Sequence, residues 1–153
     1  MKKLIALTLV GILSTPAFAQ QVAEPTATVE EAGLDLRFAS DVTLGEFLWV
    51  NRLIVVFADS PRDPSFLRQM ELLALRPETL LDRDVVVITD TDPATPSAIR
   101  TKLRPRGFGF VLIDKDGVIK LRKPSPWDVR EISRSIDKTD LRQQEIRDAR
   151  AAE

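Results

Sequence analysis

The sequence predicts an α/β domain built on a four-stranded mixed sheet with helices on both faces. Two apolar, β-branched runs, residues 53–58 (LIVVFA) and 85–89 (VVVIT), are typical of strands covered on both faces. A third run at 108–113 precedes the turn signal DKDG at 114–117, and a fourth at 118–121 completes a hairpin. Helical patterns separate the first three strands. The order β-α-β-α-β-β-α therefore combines parallel and antiparallel pairs in one sheet.

Cap signals predict where the helices begin. Thr43-x-x-Glu46 is a capping box that predicts a short helix before the first strand. Asp63 followed by Pro64 predicts the start of a longer helix, which we expect to end at Pro77. The pairs at 95–96 and 125–126 repeat this cap-plus-proline pattern and predict two further helices. An α/β domain with these elements in this order has the thioredoxin arrangement.

The first residues are typical of an export signal. Lys2 and Lys3 precede an apolar run at 4–13, and Ala17-Phe18-Ala19 fits a small-x-small cleavage site. A membrane anchor is the alternative, but a helix needs roughly 20 apolar residues to span a bilayer and this run is about half as long. We therefore expect residues 1–19 to be a signal peptide, with cleavage before Gln20 and a periplasmic or secreted product.

The rest of the chain is predicted to form one domain with flanking segments. Residues 20–33 have little apolar content, and we expect a flexible leader over 20–42. Residues 43–138 carry the thioredoxin-like pattern, and residues 139–153 predict a charged helix or tail. Without the signal peptide the chain has 20 basic and 23 acidic residues, since only two lysines are removed. This balance argues against a nucleic-acid partner. No later segment is long enough to cross a membrane.

Composition excludes the common chemistries of exported redox proteins. The chain has no cysteine and no histidine. It therefore lacks a thiolate nucleophile and the side chain that ordinarily titrates near neutrality. We expect no catalytic residue, no cofactor and no metal.

Four stretches of the sequence resemble a domain-of-unknown-function family of thioredoxin-like modules. That family occurs in small exported bacterial proteins and in animal extracellular proteins with sushi repeats or coiled coils. The resemblance implies the fold and no established enzyme activity. The stretches are FLWVNRLIVVFADS, LLDRDVVVITD, FGFVLIDKDGVIKLR and SIDKTDLRQQEIR.

The most distinctive parts of the resemblance lie close to the predicted strands. They are Trp49 and Arg52 before the first strand, Arg83-Asp84 before the second, and the Lys-Asp-Gly hairpin. Residues 140–142 (DLR) depart from the methionine-rich pattern of the family at that place, so the resemblance assigns no role to this segment.

The loop after the first strand is where thioredoxins carry their active cysteines. Here it reads Asp59-Ser60-Pro61-Arg62-Asp63-Pro64 and contains no sulfur. A helix N-terminus with neighbouring arginines favours a small anion or a peptide carboxylate, whereas Asp59 would repel one. Simple capping and solvated charge are the alternative. The candidate binding residues are Ser60, Arg62, Asp63, Asp90, Asp92 and Arg106.

Other notable residues have structural interpretations that we prefer. Asp90-x-Asp92 follows the second strand, where open sheets bind ligands, but loop capping explains it as well. We interpret Asp114-x-Asp116 as part of a turn, because a calcium loop needs about twelve residues and a glutamate at its end. We expect Trp49 and Trp127 to pack at the edge of the core. The basic residues at 120–123 are typical of an edge strand protected from aggregation.

These observations support two functions and leave a third possibility open. The first is a non-enzymatic module that binds a protein or peptide partner in the cell envelope. The alternative is a small-anion sensor, or an atypical enzyme independent of cysteine, built on the loop at 59–64 with Asp90 and Arg106. The third is a dimer formed through strand pairing, since the sequence leaves the oligomeric state open. A closed pocket that joins the candidate side chains would favour the second function.

Overall fold

A computed structural model describes residues 32–153, so the predicted signal peptide and most of the predicted leader lie outside the described residues. The described residues form five strands, five α-helices and one 3-10 helix. In chain order these are β1 (Leu36–Phe38), the 3-10 helix (Leu44–Phe47), β2 (Arg52–Phe57), α1 (Pro64–Ala74), α2 (Pro77–Leu81), β3 (Val85–Asp90), α3 (Ala98–Leu103), β4 (Gly109–Ile113), β5 (Ile119–Lys123), α4 (Val129–Asp137) and α5 (Asp140–Ala151).

The strands form one mixed sheet in the order β1-β3-β2-β4-β5. Strands β1 and β2 both pair in parallel with β3. The parallel pair of β2 and β3 is possible because a helical connection separates these two strands in the chain. Strands β4 and β5 are antiparallel neighbours joined by the predicted turn, in which Gly117 adopts a φ of 79°. The predicted combination of parallel and antiparallel pairs is confirmed.

The central strand β2 is buried on both faces, and its residues alternate between two apolar clusters. Ile54 and Val56 pack with residues of α1, α2 and α4. Leu53, Val55 and Phe57 pack on the other side with residues of α3 and the 3-10 helix. Because both faces are buried, the sequence of β2 is mostly a continuous apolar run rather than an alternation of apolar and polar residues.

The predicted count of four strands is wrong by one, because β1 lies within the predicted leader at 20–42. Asp35 accepts a backbone hydrogen bond from Val87 of β3, and Ala39 donates one to Thr89, each at 2.9 Å. Leu34 and Ala39 are buried beside this strand. A strand of three residues carries too short a pattern to be separated from a polar leader by sequence alone.

Two helix starts are predicted correctly, those after Thr43 and Asp63, and others are shifted. Asp63 caps α1 by accepting hydrogen bonds from the amides of Ser65 and Phe66, as expected. Helix α1 ends at Ala74, a little before the expected end at Pro77. Pro77 itself occupies the first position of α2, where its missing amide hydrogen is harmless. Helices α3 and α4 begin two and three residues later than predicted, because Ser97 and Asp128 supply the capping oxygens.

Candidate functional site

The loop between β2 and α1 uses most of its candidate side chains internally. Ser60 Oγ accepts a hydrogen bond from the amide of Arg62 at 3.1 Å. Asp63 is engaged in capping α1. The side chains of Asp59 and Arg62 are exposed. The loop therefore presents one acidic and one basic side chain to solvent rather than a converging set of donors.

Asp90 lies beneath this loop in a buried ion pair with Arg100, a residue that the sequence did not indicate. Arg100 Nη2 is 2.8 Å from Asp90 Oδ1 and also donates to the carbonyl oxygen of Ala58 at 2.8 Å. The hydroxyl of Ser97 donates to the other carboxylate oxygen of Asp90 at 2.7 Å. The guanidinium lies 5.4 Å from the ring centroid of Phe57. This cluster holds β2, β3 and α3 together.

The remaining candidate residues do not converge on the loop. Asp92 is exposed and accepts hydrogen bonds from the amides of Ala94 and Thr95, which is the capping role considered above. Arg106 is exposed on the loop before β4. An open hollow of about 190 Å³ includes Asp90 and Asp92 in its lining. It brings these two together but contains none of the other candidates, which are Ser60, Arg62, Asp63 and Arg106.

A second ion cluster lies at the opposite end of β2 and is centred on Arg52, whose exposed fraction is 0%. Its Nε lies 2.9 Å from Asp114 Oδ1, a charge contact without hydrogen-bond alignment. Its two terminal nitrogens donate to Glu145 of α5 at 3.2 and 3.1 Å. One of them also donates to the carbonyl oxygen of Arg83 at 3.0 Å. Arg52 therefore joins β2, the β4–β5 turn and α5.

Glu145 has an acidic pKa because three cations surround it. Partial burial raises its pKa, but hydrogen bonds from Arg52, Lys115 and Arg142 outweigh that effect and lower the pKa from 4.5 to about 2. Lys115 Nζ also lies 2.7 Å from Asp84 Oδ2. The predicted charged helix at 139–153 is therefore attached to the sheet by ion pairs, and none of its residues is fully buried.

We expect Glu145→Gln to lower the free energy of unfolding by about 1–2 kcal/mol near neutral pH, less than the full shift implies because the carboxylate is partly solvated. A depressed pKa stabilises the fold above pH 4.5, and this contribution is lost as pH falls towards 2. Urea unfolding of both proteins across this range should show the difference closing. Glu71→Gln, which alters an exposed pair with Arg68, is the control. A pH-independent difference would contradict the assignment.

The chain also exposes an apolar surface next to the Arg52 cluster. Trp49 is 69% exposed, so the expected packing at the core edge is wrong for this residue. It adopts a φ of 62°, and its amide donates to the carbonyl oxygen of Lys115 at 2.7 Å. We call this surface the Trp49 patch. It consists of the exposed apolar residues Leu48, Trp49, Val50, Val118 and Ile119.

A mainly apolar groove of about 120 Å³ adjoins the Trp49 patch. It lies between the 3-10 helix, the end of α3 and the β4–β5 hairpin. Leu48 and Ile119 belong to both the groove and the patch. The other apolar side chains in its lining include Leu44, Phe47, Leu103 and Ile113.

Trp127, in contrast, packs against the domain as expected. Its ring centroid lies 6.4 Å from that of Phe110. Gln69, which is buried, forms hydrogen bonds with both the amide and the carbonyl of Trp127 at 2.8 and 2.9 Å. The prediction of core-edge packing is therefore confirmed for this tryptophan.

Residues 43–145 match the family described as "Domain of unknown function (DUF4174)". The chain belongs to this family. The residues that distinguished the resemblance, Trp49, Arg52, Arg83, Asp84 and the hairpin at 115–117, all lie at the Arg52 end of the sheet. These residues surround the ion cluster and the Trp49 patch, at the opposite end of β2 from the loop at 59–64.

Two solved structures show the fold. Reduced 2-Cys peroxiredoxin of Plasmodium vivax is 17% identical, with a TM-score of 0.54, and the alignment covers 67% of this chain and 85% of that one. Chloroplastic thioredoxin z is 22% identical, with a TM-score of 0.51 and coverage of 69% and 97%. The fold is thioredoxin-like. A search among curated proteins finds no match.

Two further features are absent from the described part of the chain. Between residues 32 and 153 no helix combines the length and apolar character needed to cross a membrane. The same residues contain no group of three or more acidic side chains placed to hold a metal ion. With no cysteine in the sequence, thiol chemistry also lacks its nucleophile.

Proposed function

We propose that the protein is an exported, non-enzymatic binding module that holds a protein or peptide partner of the cell envelope at the Trp49 patch. An apolar side chain of the partner enters the adjoining groove. The observation that carries this proposal is the exposed Trp49 in a left-handed backbone conformation. A bulky residue in that region costs about 1–3 kcal/mol, and such strain clusters at functional sites. Tryptophan is also enriched among residues that dominate interface energies.

The position of the Trp49 patch favours binding over a packing role. Trp49 contributes little buried apolar surface to the core. Its backbone amide is nevertheless held in place, because it donates a hydrogen bond to the carbonyl oxygen of Lys115. Lys115 is itself held by ion pairs to Asp84 and Glu145. The indole is thus presented from a rigid support, which reduces the entropy lost when a partner binds.

The alternative, a small-anion sensor or an enzyme on the loop at 59–64, has less support. It requires a pocket that joins Arg62, Asp90 and Arg106. In the described residues Asp90 is neutralised by Arg100, and the hollow beside it includes neither Arg62 nor Arg106. Binding at the Trp49 patch requires no such convergence.

A dimer through β5 has less support as well. The register between β4 and β5 shifts at Leu112/Ile113, so Lys120 is an extra, bulged residue. Arg122 is turned towards the carbonyl oxygen of Leu103, at 2.8 Å. A bulge and basic side chains both hinder strand addition at a sheet edge.

Trp49→Gly tests the proposed surface. We expect the free energy of unfolding to stay within about 1 kcal/mol of the native value or to rise, because glycine adopts positive φ without strain. We expect affinity for a partner captured from the envelope to fall about tenfold or more, as at other tryptophan hot spots. Urea unfolding and titration of the captured partner measure the two quantities.

Leu75→Ser is the matched control, because Leu75 is 70% exposed and lies at the end of α1, outside the Trp49 patch. It should leave binding unchanged. Equal capture of the partner by native protein and Trp49→Gly would contradict the proposal. So would a loss of stability large enough to show that the indole supports the fold.

The proposed absence of enzyme activity has a direct assay. The purified, metal-stripped protein should show no turnover in insulin reduction or peroxide reduction, because it contains no cysteine. A thioredoxin and a peroxiredoxin serve as positive controls. Robust turnover by the protein would contradict the proposal.

Export is tested by fractionation of cells that produce the full chain. We expect the protein in the periplasm or the medium, with an N-terminus at Gln20. Retention of the intact N-terminus in the cytoplasm would contradict this part of the proposal.

A further inference from the structure

The groove beside the Trp49 patch has a positively charged end, where helix α3 stops. Lys102 and Leu103 of α3 both line the groove. Arg104 follows them directly and is exposed, and Arg122 Nη1 donates a hydrogen bond to the carbonyl oxygen of Leu103 at 2.8 Å. Lys102, Arg104 and Arg122 therefore lie next to Leu103, and we call these three residues the α3 cations.

The α3 cations have no acidic partner among the described residues. None of the three takes part in an ion pair there, whereas the neighbouring Arg100 pairs with Asp90. Asp114 is the one acidic residue in the described lining of the groove, and its side chain is 1% exposed and paired with Arg52. This end of the groove thus carries positive charge that the described residues do not neutralise.

Two acidic side chains on the remaining elements of the groove are engaged with other groups. Glu46 of the 3-10 helix accepts hydrogen bonds from the amide and the hydroxyl of Thr43 at 2.7 and 2.8 Å. Asp116 of the β4–β5 turn accepts one from the amide of Val118, and Lys120 Nζ lies 3.6 Å from its carboxylate. Neither carboxylate forms an ion pair with an α3 cation.

Arg104 occupies a backbone position that favours glycine. Its φ of 50° and ψ of 57° are left-handed, and its amide donates to the carbonyl oxygen of Arg100 at the end of α3. A residue with a side chain is strained in this conformation, and such strain is concentrated at functional sites. Like Trp49, Arg104 presents an exposed side chain from a strained backbone next to the groove.

We propose that the partner's contact segment is an acidic peptide, in which one apolar side chain enters the groove and flanking carboxylates pair with the α3 cations. This inference rests on the proposed function of the Trp49 patch and adds the chemistry of the partner. Arginine is well suited to this role, because its guanidinium group binds carboxylates through two parallel hydrogen bonds.

The size of the groove favours a peptide over an anionic lipid. Its volume is about 120 Å³, and a cavity of about 150 Å³ accommodates a benzene molecule, so the groove fits one apolar side chain. The acyl chain of a membrane lipid is much larger than this. Complementary charge at the rim of an interface mainly sets the association rate and the specificity of binding.

Fluorescence polarisation with two matched peptides tests the acidic preference. Both peptides carry fluorescein and a central leucine, which is flanked on each side by two glutamates in one peptide and by two glutamines in the other. We expect the glutamate peptide to bind about tenfold or more tightly at low ionic strength, and the difference to shrink as salt is added. Equal affinity for the two peptides would overturn the inference.

Lys102→Gln combined with Arg104→Gly should remove the preference for the glutamate peptide and leave the affinity for the glutamine peptide unchanged. Glycine at position 104 relieves the strained backbone, so urea unfolding should show no loss of stability. Lys138→Gln is the control, because this exposed lysine ends α4, which packs on the opposite face of the sheet from α3. A preference that survives in the double variant, or that Lys138→Gln abolishes, would contradict the role of the α3 cations.

Trp49→Gly separates this inference from the proposed function. It should weaken the binding of both peptides by a similar factor, because it removes an apolar contact and no charge. If both peptides bound equally and Trp49→Gly weakened both, the acidic preference would be wrong and the Trp49 patch would stand. If neither peptide bound to the native protein, the inference would be overturned, and capture of the partner would still decide the proposed function.

Vesicles of phosphatidylglycerol test the lipid alternative. We expect the native protein not to sediment with them, because the groove is too small for an acyl chain. Sedimentation with the vesicles that Lys102→Gln and Arg104→Gly abolish together would mean that the α3 cations bind a membrane surface, and it would overturn the inference.

Discussion

Replacing Arg52 by methionine is expected to lower the free energy of unfolding by about 3–5 kcal/mol, because a buried ion cluster would lose its central cation. Asp114 and Glu145 would both face the vacated position. Asp114 Oδ2 already has no hydrogen-bond donor among the described residues, so Asp114 depends on nearby positive charge. A loss of this size is a large share of the stability of an ordinary domain. Urea unfolding near neutral pH measures it.

Arg68→Met is the control, because Arg68 pairs with Glu71 on an exposed helix face and should cost less than about 1 kcal/mol. Arg52→Met combined with Asp114→Leu should be more stable than Arg52→Met alone, since the second change removes the uncompensated carboxylate. A double variant that is less stable than the single one would contradict this assignment of Arg52.

Replacing Arg100 by methionine is expected to cost about 3–5 kcal/mol as well, for a related reason at the other end of the sheet. The change removes the ion pair with Asp90 and the hydrogen bond to the carbonyl oxygen of Ala58. Both lost contacts are buried, so water cannot replace them easily. The loop at 58–64 should also exchange its amide hydrogens faster, because Ala58 anchors its start.

Arg106→Met serves as the control for Arg100, since Arg106 is an exposed arginine on a neighbouring loop. It should leave stability nearly unchanged, within about 0.5 kcal/mol. If Arg106→Met were as destabilising as Arg100→Met, the exposed arginine would have a structural role that its surroundings do not show.

The sequence predicts the sheet well where burial is two-sided and poorly where an element is short. Residues 53–58 and 85–89 predict β2 and β3 because strands covered on both faces require uninterrupted apolar side chains. Strand β1 has only three residues, one of them charged, and is held by backbone hydrogen bonds that any side chain permits. Strand β1 lies at the edge of the sheet because it pairs with β3, and this pairing cannot be predicted from the local sequence.

The candidate site is harder to predict because charged residues reveal their chemistry but not their partners. Arg52 and Glu145 are 93 residues apart in the chain, and only the fold brings them together. Arg100 resembles any helical arginine until Asp90 is placed beside it. Trp49 was marked by the family resemblance, but its exposure follows from a backbone conformation that the sequence does not specify.

Amide hydrogen exchange, measured with and without the captured partner, tests most directly where the partner binds. If the partner binds at the Trp49 patch, protection should appear at residues 44–50 and 115–119, while the loop at 58–64 exchanges at the same rate in both samples. Protection confined to residues 58–64 and 90–97, with the Trp49 patch unchanged, would contradict the proposed function and place binding where thioredoxins carry their active cysteines.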